Sequence, residues 1–429
     1  MLEGGWKGLR RLALRLVRPA TLVLLVGVAL WAWRAHALWS STIPASALHL
    51  PHVDASRFFS DSFLERSASY RRFQEIEGLL AVATLLIVLA VYARRGHRLV
   101  RESAAGRIGT GMLLGMLGFA VVWLAEVPFG LVAVWWERRH GVSHQGYLAW
   151  LFGSFFSLGA EFLFISLALA VAMGLAGVLR RWWWVVAAPV FVGLALLFTF
   201  VSPYLVPSTS PLRDPQLLAD ARALERSEGV GDTEVRVQDV HRFTSAPNAE
   251  AAGFGATRTV ILWDTLLDDR FSDREIRVVI AHEIGHLAHN DALKRVGWLA
   301  LFLIPAAALI ARLTRSRGGL ARPEAVPIAL FVLVALQLIV APLSNMVSRR
   351  QEAAADWSAL NATREPATDR ALLHRLATTS MSTPDPPGWA YSLYFTHPTI
   401  MQRIAMAYAW EERSRRPATL DSAVHAEGP

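Results

Sequence analysis

Two histidines one helical turn apart, with a glutamate beside the first, are the residues in this sequence best suited to do chemistry. They are His282 and His286 with Glu283, in the stretch His-Glu-Ile-Gly-His at 282–286. On an α-helix, positions i and i+4 share a face, so both imidazoles can grip a single zinc ion. Glu283 then stands where it can take a proton from water at that ion. Ser272 and Glu275 have the spacing of a capping box, so the helix should begin there. The apolar run Val278, Val279, Ile280 and Ile284 makes it a buried helix, and a buried histidine pair needs a partner. A surface helix that happens to carry two histidines would explain neither feature.

A zinc site that hydrolyses peptides takes three protein ligands and keeps an open position for water. The candidates for the third ligand are His289, Asp291 and Glu352. The first two lie on or just past the histidine helix. Glu352 comes from Ser-Arg-Arg-Gln-Glu-Ala-Ala-Ala-Asp-Trp at 348–357, where Asp356 follows it by four residues on one helix face. The alanines between them allow close approach to another helix. Glu352 is the expected third ligand, because a residue from a second helix closes the coordination sphere better. Asp356 is the expected partner that orients a ligating histidine.

The elements that must position these groups are mostly apolar. Hydrophobic residues make up 53% of the 429 residues and mean hydropathy is +0.34, values too high for an ordinary soluble chain of this size. The apolar residues fall in long runs, near 19–33, 78–92, 110–136, 147–178, 182–206, 296–313 and 325–347. These predict a polytopic α-helical membrane protein of about seven transmembrane helices. Residues 1–206 form an N-terminal membrane region with five of them. Residues 207–429 are expected to form a zinc peptidase domain with helices six and seven and a polar C-terminal tail. The basic residues before the first run also fit a signal peptide, but the further spans favour a transmembrane helix. Residues 34–77 read as a polar segment.

From 207 the composition becomes that of a soluble α+β domain. A helix is expected over 214–228, and strands over 233–240 and 257–263. The glycine-rich segment 245–255 between the strands can form a sheet edge. Net charge is +8, with basic residues beside apolar runs and no aromatic-basic module, which excludes nucleic-acid binding. The chain has no cysteine, which excludes disulfides and thiolate metal sites. Arginine replaces lysine almost everywhere, as in proteins from GC-rich bacterial genomes.

Several motifs in sequence order resemble the type I CAAX prenyl protease family of integral-membrane zinc peptidases. They are Pro128 and Phe129 followed by the loop 137–145, then Asn248 and Ala249 with the strand 257–268. Next come Asn345, Ser348, Arg349, Arg350, Glu352, Ala355 and Asp356, and finally His397, Pro398 and Arg403. The resemblance covers about residues 111–405. It implies a seven-helix membrane barrel around a water-filled chamber, with a small zincin-like domain whose zinc site faces inward. It also implies that His282, His286 and Glu352 hold one Zn2+ and that Glu283 is the general base. Asn248 would hold the substrate backbone, while His397 and Arg403 would stabilise the tetrahedral intermediate. Segment 206–212 departs from the family pattern, so the mouth of the chamber should differ.

The function expected is that of a membrane-embedded zinc endopeptidase, with a peptide or protein substrate and the lipid bilayer as its partners. An intramembrane protease with an aspartate ligand in its last span does not fit, because 325–347 contains no aspartate. The non-enzyme alternative is a membrane scaffold or transporter with a vestigial zinc site, which predicts damage to the ligand set. The expected location is a bacterial cell membrane, crossed several times. Basic residues favour a cytoplasmic N-terminus slightly, and the resemblance favours the opposite orientation.

Overall fold

Runs of apolar residues without helix-breaking clusters fold here into long helices. The computed structural model describes residues 19–40, 43, 49–100 and 105–415. The basic segment before residue 19 and the tail after residue 415 lie outside the described residues. Helix α1 spans Pro19–Trp39, α2 Asp61–Arg95, α3 Gly106–Arg139, α4 Tyr147–Leu179 and α5 Trp183–Leu205. Among the described residues, five stretches are long and apolar enough to cross a membrane: Asp61–Leu99, Gly106–Arg139, Tyr147–Leu205, Asp291–Arg317 and Pro323–Thr363. The third of these contains both α4 and α5, joined by a short 3-10 turn at Arg180–Trp182. Large side chains such as Leu124, Phe156, Leu163 and Ile339 point outward from these helices, where a bilayer would cover them.

The polar segment 34–77 is not all connector. Helix α2 starts at Asp61, because the Ser60 hydroxyl accepts the Phe63 N–H and no glycine or proline interrupts residues 61–77. Charged residues alone do not stop a helix that is capped at one end and apolar at the other.

The soluble part is built on a four-stranded sheet of β1 (Thr209–Pro211), β2 (Glu234–Gln238), β3 (Ala249–Ala252) and β4 (Thr259–Trp263). Its order is β1-β2-β4-β3. β2 and β4 are parallel, while β1 and β3 run antiparallel to their neighbours at the two edges. The departing segment at 206–212 thus supplies an edge strand. Gly253, at φ +74, ends β3, and a Cβ there would lie 2.2 Å from the Thr257 carbonyl oxygen. Only glycine fits that turn.

Helix α6 (Pro215–Glu228) and helix α7 (Asp273–Ala288) pack on this sheet. Leu217, Ala221 and Leu224 meet Val260, Leu262, Ile276, Ile280 and Ile284 in one core. Ile280 and Ile284 are fully buried, so truncating either to alanine should cost about 2–5 kcal/mol. The capping box forms as the sequence predicts: Ser272 accepts the Glu275 N–H, and Glu275 accepts the Ser272 N–H. Helix α8 (Asp291–Leu313) and helix α9 (Val326–Thr363) follow as an antiparallel hairpin. α9 has 38 residues and is about 57 Å long, enough to carry a membrane span and continue past α7. Helices α10 (Pro366–Thr379), α11 (Gly388–Tyr394) and α12 (Ile400–Arg415) complete the fold around its end.

Candidate metal centre

The site forms where α7 and α9 cross. Gly285 makes the crossing close: a Cβ there would lie 3.1 Å from the Ser358 Cβ and 3.3 Å from the Ala355 Cα. That approach brings Glu352 of α9 against both histidines of α7. Nε2 of His282 and Nε2 of His286 are 3.1 Å apart, and Oε2 of Glu352 lies 3.2 and 3.4 Å from them. Ligands about 2.0–2.1 Å from a tetrahedral ion are separated by about 3.3 Å, so this triangle has the dimensions of a zinc site. All three residues are buried.

Each histidine is fixed from behind by a carboxylate. Nδ1 of His282 lies 2.8 Å from Oδ1 of Asp356, and Nδ1 of His286 lies 2.9 Å from Oδ2 of Asp291. With Nδ1 protonated toward its carboxylate, each imidazole would turn an Nε2 lone pair to the point that the Glu352 oxygen also faces. A cation between them makes that arrangement favourable, so the donor set fits a metal. The surrounding carboxylates also draw positive charge to this point, whether proton or metal. Burial alone would lower the His282 pKa, but Asp356 and Glu352 outweigh it and raise it to about 10. Burial is outweighed likewise at His286, by Asp291 and Glu352, giving about 9.

Glu283 is buried on α7, and its charge acts on His282 and on Glu250 of β3. His397 lies beside the third member of the triangle. Its Nε2 is 3.1 Å from Oε2 of Glu352, and its side chain is 53% exposed where that of Glu352 is 10% exposed. Asn248 is exposed just ahead of β3, and its carbonyl accepts the Trp263 N–H at 2.9 Å. β3 has a sheet neighbour on one side only, as the edge expectation requires.

Arg403 is paired with Asp356 on the far side of His282. Its Nε and Nη2 bind the two oxygens of Asp356 at 2.8 and 2.6 Å, behind His282. This bidentate pair engages two of its three nitrogens, because the buried carboxylate of Asp356 needs a counter-charge. His289 turns to α9, with Nε2 3.4 Å from the Ser358 hydroxyl.

Asp291 is the functional partner that sequence reasoning weighed as a ligand and not as an orienting group. Asn290, at φ +53, turns the chain so that α8 begins beside the end of α7. Asp291 is then completely buried against His286, with Lys294 Nζ 3.2 Å from its other oxygen. The lysine three residues on was the available signal. A second cluster, Asp239, His241 and Asp264, also brings potential ligand atoms together, but it is largely exposed.

The sequence pattern of peptidase family M48 matches residues 211–411. An uncharacterized metalloprotease, YhfN of Bacillus subtilis (strain 168), is 27% identical over 300 residues, covering 66% of this chain and 70% of that protein. A CAAX prenyl protease 1 homolog of Oryza sativa subsp. japonica is 24% identical over 309 residues, covering 68% and 72%. A protease HtpX homolog of Acidiphilium cryptum (strain JF-5) is 30% identical over 214 residues, covering 44% of this chain and 72% of the relative. The crystal structure of S. mikatae Ste24p superposes with a TM-score of 0.66 at 18% identity, over 89% of this chain and 96% of that one. The fold is therefore shared with that protein.

Proposed function

This chain belongs to peptidase family M48 and is a membrane zinc-dependent metalloprotease, and from that premise we propose that it cleaves extended peptides or protein tails internally, using one zinc ion per chain. The observation that carries this reading is the triangle of His282, His286 and Glu352, each histidine backed by its own carboxylate. Zinc bound there supplies a Lewis acid that polarises the scissile carbonyl and makes water a nucleophile at neutral pH.

The chain's own residues do the rest. Glu283 accepts the proton of the attacking water and delivers it to the leaving amine. Asp356 and Asp291 keep the two imidazoles in the tautomer that presents Nε2, and Arg403 holds Asp356 in place from behind. His397, half-exposed beside Glu352, is the donor for negative charge that develops on the substrate oxygen. Asn248 and the free edge of β3 align the substrate backbone, whatever its side chains. The vestigial-site alternative is not favoured, since it requires a damaged donor set and all three groups converge. We place the protein in a bacterial cell membrane.

Substituting the general base tests the reading. Detergent-purified Glu283→Gln should keep about one zinc per chain while losing about 10²–10⁴-fold in peptide turnover. Near-normal turnover with zinc bound would overturn it.

A further inference from the structure

His397 does not lie on a long helix that could hold it rigidly. It follows the seven-residue α11 by a short extended link, with Phe395 at φ −97, ψ 121. A segment of that length has little stability of its own. Something outside it must keep the imidazole beside Glu352.

Arg349 does so from α9. It stands three residues before Glu352, on the same face of the helix. Its Nη1 donates to the Tyr391 carbonyl at 3.0 Å and to the Phe395 carbonyl at 2.7 Å. The guanidinium also stacks over the Tyr391 ring, 4.4 Å from its centroid. These contacts fasten the end of α11 and the residue two before His397. Asn345, one turn earlier on α9, adds a bond from Nδ2 to the Leu393 carbonyl at 2.7 Å. Arg71 of α2 also meets the link, with its guanidinium 4.5 Å from the centroid of the Phe395 ring.

An arginine near the end of a membrane span often serves only to reach the polar interface. Arg350 is the built-in comparison. It is the next residue, yet it stacks on Trp39 of α1 at 4.4 Å and makes no bond to the α11 segment. Two directed bonds and a stacked ring distinguish Arg349 from an interfacial charge.

We propose that Arg349 is a positioning residue for His397. It ties the helix that carries Glu352 to the strand-like link that carries His397, so that both reach the reacting carbonyl in register. The proposal rests on the role given to His397 above. It predicts that Arg349 acts on the rate through His397 and on nothing else in the reaction. A misplacement of about 1 Å in a catalytic group can cost about 100-fold in rate, which sets the scale of the effect.

A double-mutant cycle on the full-length, zinc-loaded protein tests this. Arg349→Gln should lower kcat by about 10- to 100-fold with little change in KM or bound zinc. In a His397→Ala background the same substitution should have almost no further effect. A full multiplicative loss in that background would overturn the proposal, because Arg349 would then act independently of His397. If His397→Ala leaves kcat intact, the role of His397 itself fails, which is a separate result. Asn345→Ala removes one support with less disturbance, and it should show the same coupling if Arg349→Gln does not fold. Independent losses for Asn345→Ala and His397→Ala would count equally against the proposal.

Discussion

Gly285 of α7 and Ala355 of α9 touch backbone to backbone: a Cβ on the glycine would lie 3.3 Å from both the Ala355 Cα and its carbonyl oxygen. The distance between His282, His286 and Glu352 depends on that contact, since the ligands come from the same two helices. Gly285→Val should force the helices apart and lower zinc affinity at least about 10-fold, because ligand geometry governs affinity. Metal content after dialysis against a graded chelator measures this. Native retention of zinc would mean that α9 is not held by the crossing.

The identity of the third ligand gives a pattern of metal contents. Glu352 completes the triangle, whereas His289 is turned to Ser358. Glu352→Ala should therefore leave the purified protein without zinc, and His289→Ala should leave it bound. The reverse pattern would refute the assignment.

How much of this could be read from the sequence follows from the range of each interaction. The capping box and the His-Glu-Ile-Gly-His turn are local, so helix α7 and two ligands were legible at once. Glu352 and Asp356 were legible because alanines around them advertise a helix crossing. The pair between Arg403 and Asp356 was not legible, because two of the arginine's nitrogens go to a partner 47 positions away that no local period reveals. Asp291 was hidden for another reason. Its role depends on the left-handed turn at Asn290, and a single backbone angle leaves almost no trace in composition.

The edge of β3 makes a separate prediction about substrate. Asn248→Ala should reduce kcat/KM by an interaction worth about 1–3 kcal/mol while zinc and melting temperature stay unchanged. Gly253→Pro should do more harm, since the turn that ends β3 needs φ +74. One peptide series assayed against both variants decides the matter. Unchanged catalysis in both would remove the support for pairing at this edge.

Stability should depend on pH through Asp369, which is buried on α10. Burial, with help from the charge of Asp356, raises its pKa from 3.8 to about 7. Between those values the unfolded chain has released a proton that the folded chain retains. Stability therefore falls as pH rises through that window, by up to about 4 kcal/mol. Asp369→Asn removes the penalty. Its melting temperature should match the native one near about pH 4 and exceed it by several degrees near about pH 8. A difference independent of pH would show that Asp369 titrates normally.

The continuity of α9 has a consequence for biosynthesis. Glu352 follows His282 by 70 positions, on the far side of the hairpin formed by α8 and α9. A nascent chain that has made α7 alone offers two imidazoles, too few to retain a metal tightly. The third donor arrives only after α8 and most of α9 have been synthesised. Metal capture by all three donors therefore waits until α9 has been made.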